Sequence, residues 1–308
     1  ALNGTKLRSI SSSGADLDIS DMRNAIAADL SLIDMDSDGA TDRLYAADTG
    51  GRIIRVDFNQ SSMSGDVIAD INAGSVSGNR QFFNRPVIAY MGSYLAITIG
   101  SGRRPFIFDD TVTDRFYMIK DSAVWGPPED GNYTRVTESN LTDHTTGFDP
   151  SMTSGWYFDL KHIGTDASGN PVSINEKSVT RAVVYDGIVY FNTIAGSKEI
   201  KDVSCTPSTT STSAYFYVVK INTGDAAIAH FDGNSELDEV DDRSRKLKTP
   251  TIPEAPFVYV GSKQVTGDDG QDILVPLREV PVSPGVGEQS EAQPNRYRAI
   301  YWESSLGD

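Results

Sequence analysis

Several things are scarce in this chain, and each shortage narrows what it can be. One cysteine in 308 residues, Cys205, leaves no internal disulfide. Its neighbours, Val203-Ser204 and Thr206-Pro207-Ser208, read as a loop with no base to activate a thiolate, so Cys205 is expected to be inert. His144, His162 and His230 stand far apart and form no His-x-His or His-x-x-x-His pair, which argues against zinc. There is no Gly-x-Ser-x-Gly elbow and no phosphate loop, and Gly100-Ser101-Gly102 reads as a turn between strands. No apolar run approaches the length of a membrane-spanning helix. The chain opens on Ala1 without a secretory-signal pattern, so a processed chain or an excised fragment is expected. Basic residues are outnumbered, 27 Lys and Arg against 43 Asp and Glu. The net charge of −16 argues against nucleic acid and anionic membrane surfaces as partners.

What remains is a β-protein. Helical periodicity is confined to a weak stretch at 21–28, Asp21 to Ala28. Short β-branched and aromatic runs recur between Gly, Asp, Ser and Pro clusters, at 43–47, 52–58, 94–99, 115–120, 156–160, 181–185, 188–193, 215–221, 257–260 and 297–302. Many short strands with tight turns imply a sandwich, a barrel or a propeller. Weak self-similarity favours the propeller: Asp42-Arg43-Leu44-Tyr45-Ala46-Ala47 is echoed by Asp114-Arg115-Phe116-Tyr117-Met118-Ile119, and 215–224 keeps the same strand-then-turn order. Val183-Val184-Tyr185-Asp186-Gly187-Ile188-Val189-Tyr190 is a hairpin with Asp-Gly at its bend. Residues 121–155 and 262–296, rich in Gly, Pro and polar residues, read as long surface insertions. Trp125, Trp156 and Trp302 are expected in core or inter-blade packing.

The segment Asp34-Met35-Asp36-Ser37-Asp38-Gly39-Ala40-Thr41-Asp42 carries the chemistry. Carboxylates fall at positions 1, 3, 5 and 9, with glycine at position 6. A hard cation such as Ca²⁺ takes about six to eight oxygens, and alternate acids round a tight turn supply them. Gly39 allows a sharp bend, and the Ala40 carbonyl offers a ligand that needs no side chain. This is half an EF-hand only, because position 12 is Tyr45 rather than glutamate and the flanks read as strands. Mg²⁺ is disfavoured by its strict octahedral demand. A second acidic stretch, 232–242, has alternating Asp232, Asn234, Glu236 and Asp238 but its glycine at position 2, so it reads as a solvated loop.

Taken in order, these motifs resemble the C-terminal domain of the PilC/PilY family of type IV pilus tip and biogenesis proteins. The aspartate loop and 42–57 are followed by Asn84-Arg85-Pro86-Val87, Ile99-Gly100-Ser101-Gly102 and Thr113-Asp114-Arg115-Phe116-Tyr117. Gly155-Trp156-Tyr157-Phe158-Asp159-Leu160, Arg181 to Gly187 and Arg298-Ala299-Ile300-Tyr301-Trp302-Glu303 complete the set, which covers nearly the whole chain. The resemblance implies a modified seven-bladed, quinoprotein-like β-propeller as one domain over residues 1–308, exported and carried at the pilus tip on the cell surface. It implies Ca²⁺ held by the side chains of Asp34, Asp36, Asp38 and Asp42 and the carbonyl of Ala40, regulating pilus extension and retraction, twitching motility and adhesion. The implied partners are major and minor pilins and a host or abiotic surface ligand. No enzymatic activity is expected. The adhesive N-terminal region of many relatives, often with a von Willebrand A-like domain, is not among these residues, nor is an Arg-Gly-Asp tripeptide. The alternative is a propeller enzyme of the quinoprotein dehydrogenase type, or a glycan-binding lectin, with a structural calcium. Against the enzyme, there is no adjacent cysteine pair and no evident set of cofactor ligands.

Overall fold

The computed structural model describes residues 4–59, 62–72, 74–165, 170–199, 209–228, 238, 240–248 and 252–257, and the backbone of 259–266 and 272–279. Two strands, β1 (Ile10–Ser11) and β2 (Leu17–Asp18), pair in parallel ahead of the main body. Four consecutive antiparallel strands then form a first meander: β3 (Ser31–Ile33), β4 (Arg43–Ala47), β5 (Arg52–Asn59) and β6 (Ser62–Asp70). A second comprises β7 (Val87–Tyr90), β8 (Leu95–Gly100) and β9 (Arg115–Asp121). Its fourth strand, β12 (Gly155–Asp159), follows two short edge strands, β10 (Val136–Thr137) and β11 (Thr142–Asp143). A third sheet begins with β13 (Lys161–Thr165) and β14 (Pro171–Ser178). Its own meander follows, β15 (Val183–Tyr185), β16 (Ile188–Glu199), β17 (Thr209–Lys220) and β18 (Ser244–Lys246). A hairpin of β19 (Tyr259–Thr266) and β20 (Asp272–Glu279) comes last.

Strand alternation explains why these sheets stack. On β9, Phe116 and Met118 enter a core shared with the third sheet, while Tyr117 and Ile119 enter one shared with the first. On β8, Ala96 joins the former core, and Leu95, Ile97 and Ile99 the latter. A period of two therefore buries both faces of the middle sheet, which is how propeller blades pack. Between the second and third sheets, the Phe116 and Phe191 rings stack with centroids 3.9 Å apart, and the Trp156 indole N–H donates to the Ile221 carbonyl at 3.0 Å. Each such fully buried large side chain contributes roughly 1.5–3 kcal/mol. The far face of the first sheet (Ala46, Ile54, Val56, Val67) is covered by Ile10, Leu17, Ile19, Met22 and Ile26 of the N-terminal segment. The far face of the third (Tyr190, Phe216, Val218) is covered by Ala227, Ile228 and Leu247.

The fold is thus all-β and propeller-like, with only three short 3₁₀ turns among the described residues. Seven blades are not reached there. Three four-stranded meanders already occupy Ser31 to Lys246, because the excursions at 101–114, 121–155 and 160–182 lengthen each repeat well beyond the roughly 40–45 residues of a plain four-stranded blade. The 121–155 insertion is not only surface loop: β10 adds to the edge of β6 and β11 to the edge of β12, so it borders two blades at once. Residues 262–296 likewise contain the rest of β19 and all of β20, and the remainder lies outside the described residues. Residues 21–28 form bends and turns rather than helix. Trp156 is fully buried as expected, but Trp125 is 75% exposed. It sits on the Pro- and Gly-rich turn after Val124, its ring edge-on to Tyr90 of β7 with centroids 6.0 Å apart. Trp302, Cys205, His230 and the strand expected at 297–302 lie outside the described residues.

Candidate metal centre

The nine-residue aspartate segment is the loop of the β3–β4 hairpin, as its turn chemistry requires. Asp42 donates its N–H to the Ile33 carbonyl at 2.9 Å, closing the loop mouth, and its own carbonyl accepts from Phe58 N–H of β5 at 2.7 Å. Ser37 and Gly39 adopt positive φ, 63° and 90°, and bend the chain back on itself. Gly39 bears this without strain; Ser37 is one of two non-glycine residues that adopt positive φ among the described residues.

Asp34, Asp36 and Asp42 each place one carboxylate oxygen within 4.8 Å of the others. The loop backbone organises them. Asp34 accepts from the N–H groups of Ser37 (2.6 Å) and Gly39 (2.8 Å), and Asp42 from Met35 N–H (2.6 Å). Asp36 accepts from Asp38 N–H at 3.1 Å. Asp38 is not part of the three-residue cluster; its carboxylate accepts the Ala40 N–H at 2.7 Å. The Asp38 N–H pulls the Asp36 carboxyl pKa down. Desolvation and the charges of Asp38, Asp42 and Asp34 push it up and prevail, so the net shift is upward. Mutual repulsion of this kind is what a divalent cation would relieve, and the converged oxygens fit one. Of the five expected ligands, then, three are brought together and Asp38 and Ala40 flank them.

Directly beneath the loop lies a cluster that the sequence reading did not single out. In the β4–β5 register, Arg43 faces Asp57 and Tyr45 faces Arg55, so charges of opposite sign alternate on the face turned to the second blade. Arg43 and Arg55 are each 1% exposed. Asp57 accepts from Arg43 Nε (2.7 Å), Arg55 Nε (2.8 Å) and the Tyr133 hydroxyl (2.8 Å). Asp121, at the end of β9, accepts from Arg55 (2.8 Å) and from the Tyr45 hydroxyl (2.6 Å). The Gly126 carbonyl accepts from both guanidiniums. Burial, and then the Asp121 charge, hold the Tyr45 phenol well above its usual range. The legible signal was the paired Arg and Asp at inward positions of otherwise apolar strands.

The remaining histidines are apart. His144 donates its Nδ1–H to the Thr223 carbonyl, while His162 bridges Glu176 and the Tyr215 hydroxyl. Asp232, Asn234 and Glu236 of the second acidic stretch lie outside the described residues, and Asp238 there caps Val240 and Asp241 N–H groups.

No protein-family model matches the chain, and no curated protein does. The chain is similar to the Pseudomonas aeruginosa PilY1 C-terminal domain. The crystal structure of that domain aligns with a TM-score of 0.48 and 15% sequence identity. The alignment covers 80% of this chain, which spans 59% of the length of the solved one. Among the described residues no helix is long and apolar enough to cross a membrane.

Proposed function

We propose that this chain is a calcium-binding, propeller-type domain of a type IV pilus tip or biogenesis protein, displayed at the cell surface and acting without catalysis. The observation that carries the calcium part is the convergence of the Asp34, Asp36 and Asp42 carboxylates in one hairpin loop. The pilus part is supported by the ordered motifs from the aspartate loop to Arg298-Ala299-Ile300-Tyr301-Trp302-Glu303. Residues 1–308 are read as one domain, and its three four-stranded meanders as blades of the seven-bladed plan. Its partners in this reading are major and minor pilins and a surface ligand, and its output is control of pilus extension, retraction, twitching and adhesion.

Asp34, Asp36 and Asp42 would hold the ion, with Asp38 and the Ala40 carbonyl at hand to add oxygens. Bound Ca²⁺ supplies the positive charge that cancels repulsion among the carboxylates. The chain does the rest. Asp42 is tied to Met35, Ile33 and Phe58, so fixing its carboxylate fixes the mouth of the hairpin and the start of β4. Arg43, the next residue, carries that order into the buried ion cluster and the Gly126 carbonyl. Sites of this type can bind with dissociation constants of about 10⁻⁴–10⁻³ M or tighter, which extracellular calcium matches. Pull-down of minor pilins by the chain in Ca²⁺ and in chelator is the functional test. Capture that depends on Ca²⁺ in the wild type and not in Asp42→Ala supports the reading, and no capture in either condition contradicts the pilus assignment.

A further inference from the structure

A cavity of about 490 Å³ opens where β9 ends, beside the β7–β8 turn and the approach to β12. Its size lies within the roughly 300–1,000 Å³ of small-molecule sites. The register puts Leu95 opposite Asp121, so Ser93 and Tyr94 lie alongside Lys120 and Ser122. Lys120 N–H donates to the Ser154 carbonyl at 2.9 Å, which brings Thr153 and Ser154 to the other side. Ser93, Tyr94, Ser122, Thr153 and Ser154 thus line one cavity with Lys120. Among the described residues none of these hydroxyls has a protein hydrogen-bond partner, and Lys120 makes no ion pair. Its Nζ lies 5.0 Å from the centroid of the Tyr94 ring and desolvation pulls its pKa down. Nearby acids do not serve it. Asp121 is committed to Arg55 and Tyr45, and Asp130 accepts the Asn132 N–H.

We propose that this cavity binds an acidic saccharide, with Lys120 pairing the sugar carboxylate and the Ser93, Tyr94, Ser122, Thr153 and Ser154 hydroxyls meeting sugar hydroxyls. A half-buried ammonium without a counter-ion leaves a charge-assisted bond to be made, and a carboxylate makes it. Hydroxyls that both donate and accept, contributed by three separate segments (93–94, 122 and 153–154), suit a polyhydroxylated ring better than a compact phosphate. On a chain of net charge −16, one free cation in a recess selects the orientation of an anionic ligand. Its lining includes Arg55, Asp121 and Tyr133 of the buried ion cluster but no residue of the aspartate loop.

The test is calorimetric or NMR titration of the full chain with D-glucuronate, with D-glucose and acetate as controls, for wild type, Lys120→Gln and Lys120→Arg. Saturable millimolar glucuronate binding is expected, weakened at least about tenfold in Lys120→Gln, largely retained in Lys120→Arg and unchanged in Asp42→Ala. Glucose and acetate should each bind at least about tenfold more weakly, since each offers half of the recognition. Equal binding by wild type and a folded Lys120→Gln overturns the proposal. So does acetate binding as tightly as glucuronate, or no saturation by about 50 mM, the weak end of what a single charge-assisted contact sustains.

Discussion

Replacing Asp57 by alanine strikes the centre of the buried ion cluster on the first blade, whose Arg55 also reaches Asp121 of the second. Asp57 takes charge-assisted bonds from Arg43 and from two nitrogens of Arg55, at 2.7, 2.8 and 2.9 Å, and a fourth from Tyr133. In Asp57→Ala, Arg55 keeps Asp121, but Arg43 keeps only the Gly126 carbonyl and a 3.5 Å approach to the Tyr45 hydroxyl. A guanidinium 1% exposed is then left without a carboxylate. Breaking a buried pair in this way costs about 3–5 kcal/mol, a large share of the roughly 5–15 kcal/mol that holds a domain folded. Equilibrium unfolding in urea should show the loss as a lower midpoint. The loss should persist between 0.1 and 1 M salt, about 10 and 3 Å of screening length, because the cluster is shielded from ions. A destabilisation below about 1 kcal/mol, or one that vanishes in high salt, would refute the claim that this cluster is a buried structural joint.

Other expectations follow from the same packing. Phe191→Ala removes a fully buried ring stacked on Phe116 and should cost about 3–5 kcal/mol in thermal or urea unfolding. Gly155→Ala places a Cβ against the Met118 carbonyl oxygen at φ 134°, so a loss of at least about 1–3 kcal/mol is expected, and an unchanged melting temperature would contradict the tight β12–β9 approach. The phenols of Tyr133 and Tyr215 are pushed up to about 12, chiefly by burial, and Tyr45, Tyr117 and Tyr217 are raised as well. A raised folded-state value means this contribution is intact below pH 10 and is lost as pH climbs toward 12, since the unfolded chain ionises first. Ultraviolet titration of tyrosine should therefore show a late fraction that ionises only as the protein unfolds; a single transition near pH 10 in folded protein would contradict it.

The strands at 43–47, 52–58 and 115–120 were legible because β-branched and aromatic residues there are bounded by turn formers, and the structure places β4, β5 and β9 within a residue of them. Asp186-Gly187 forms the expected tight bend, with φ of 51° and 77° and Tyr185 paired to Ile188. What escaped has physical reasons. β6, Ser62-Met63-Ser64-Gly65-Asp66-Val67-Ile68-Ala69-Asp70, begins polar and carries a glycine, and β14 carries Asn, Glu and Lys whose burial depends on tertiary partners such as Asp114 for Lys177. Trp125 was misplaced because its aromatic ring suggests packing although it lies in the Gly- and Pro-rich 121–155 insertion, where the ring meets Tyr90 edge-on and stays 75% exposed. At the metal loop, spacing foretold the turn and the convergence of Asp34, Asp36 and Asp42. It did not foretell that Asp38 would turn to the Ala40 N–H, a local competition of side chain with backbone that the sequence pattern does not rank.

Calorimetric Ca²⁺ titration of the chelator-treated chain, run beside Asp42→Ala, tests the central claim most directly. One site of roughly millimolar affinity or tighter in the wild type, absent from a variant whose apo form melts at a similar temperature, is the predicted result. No saturable heat in the wild type, or undiminished binding in Asp42→Ala, would contradict a calcium centre at this hairpin.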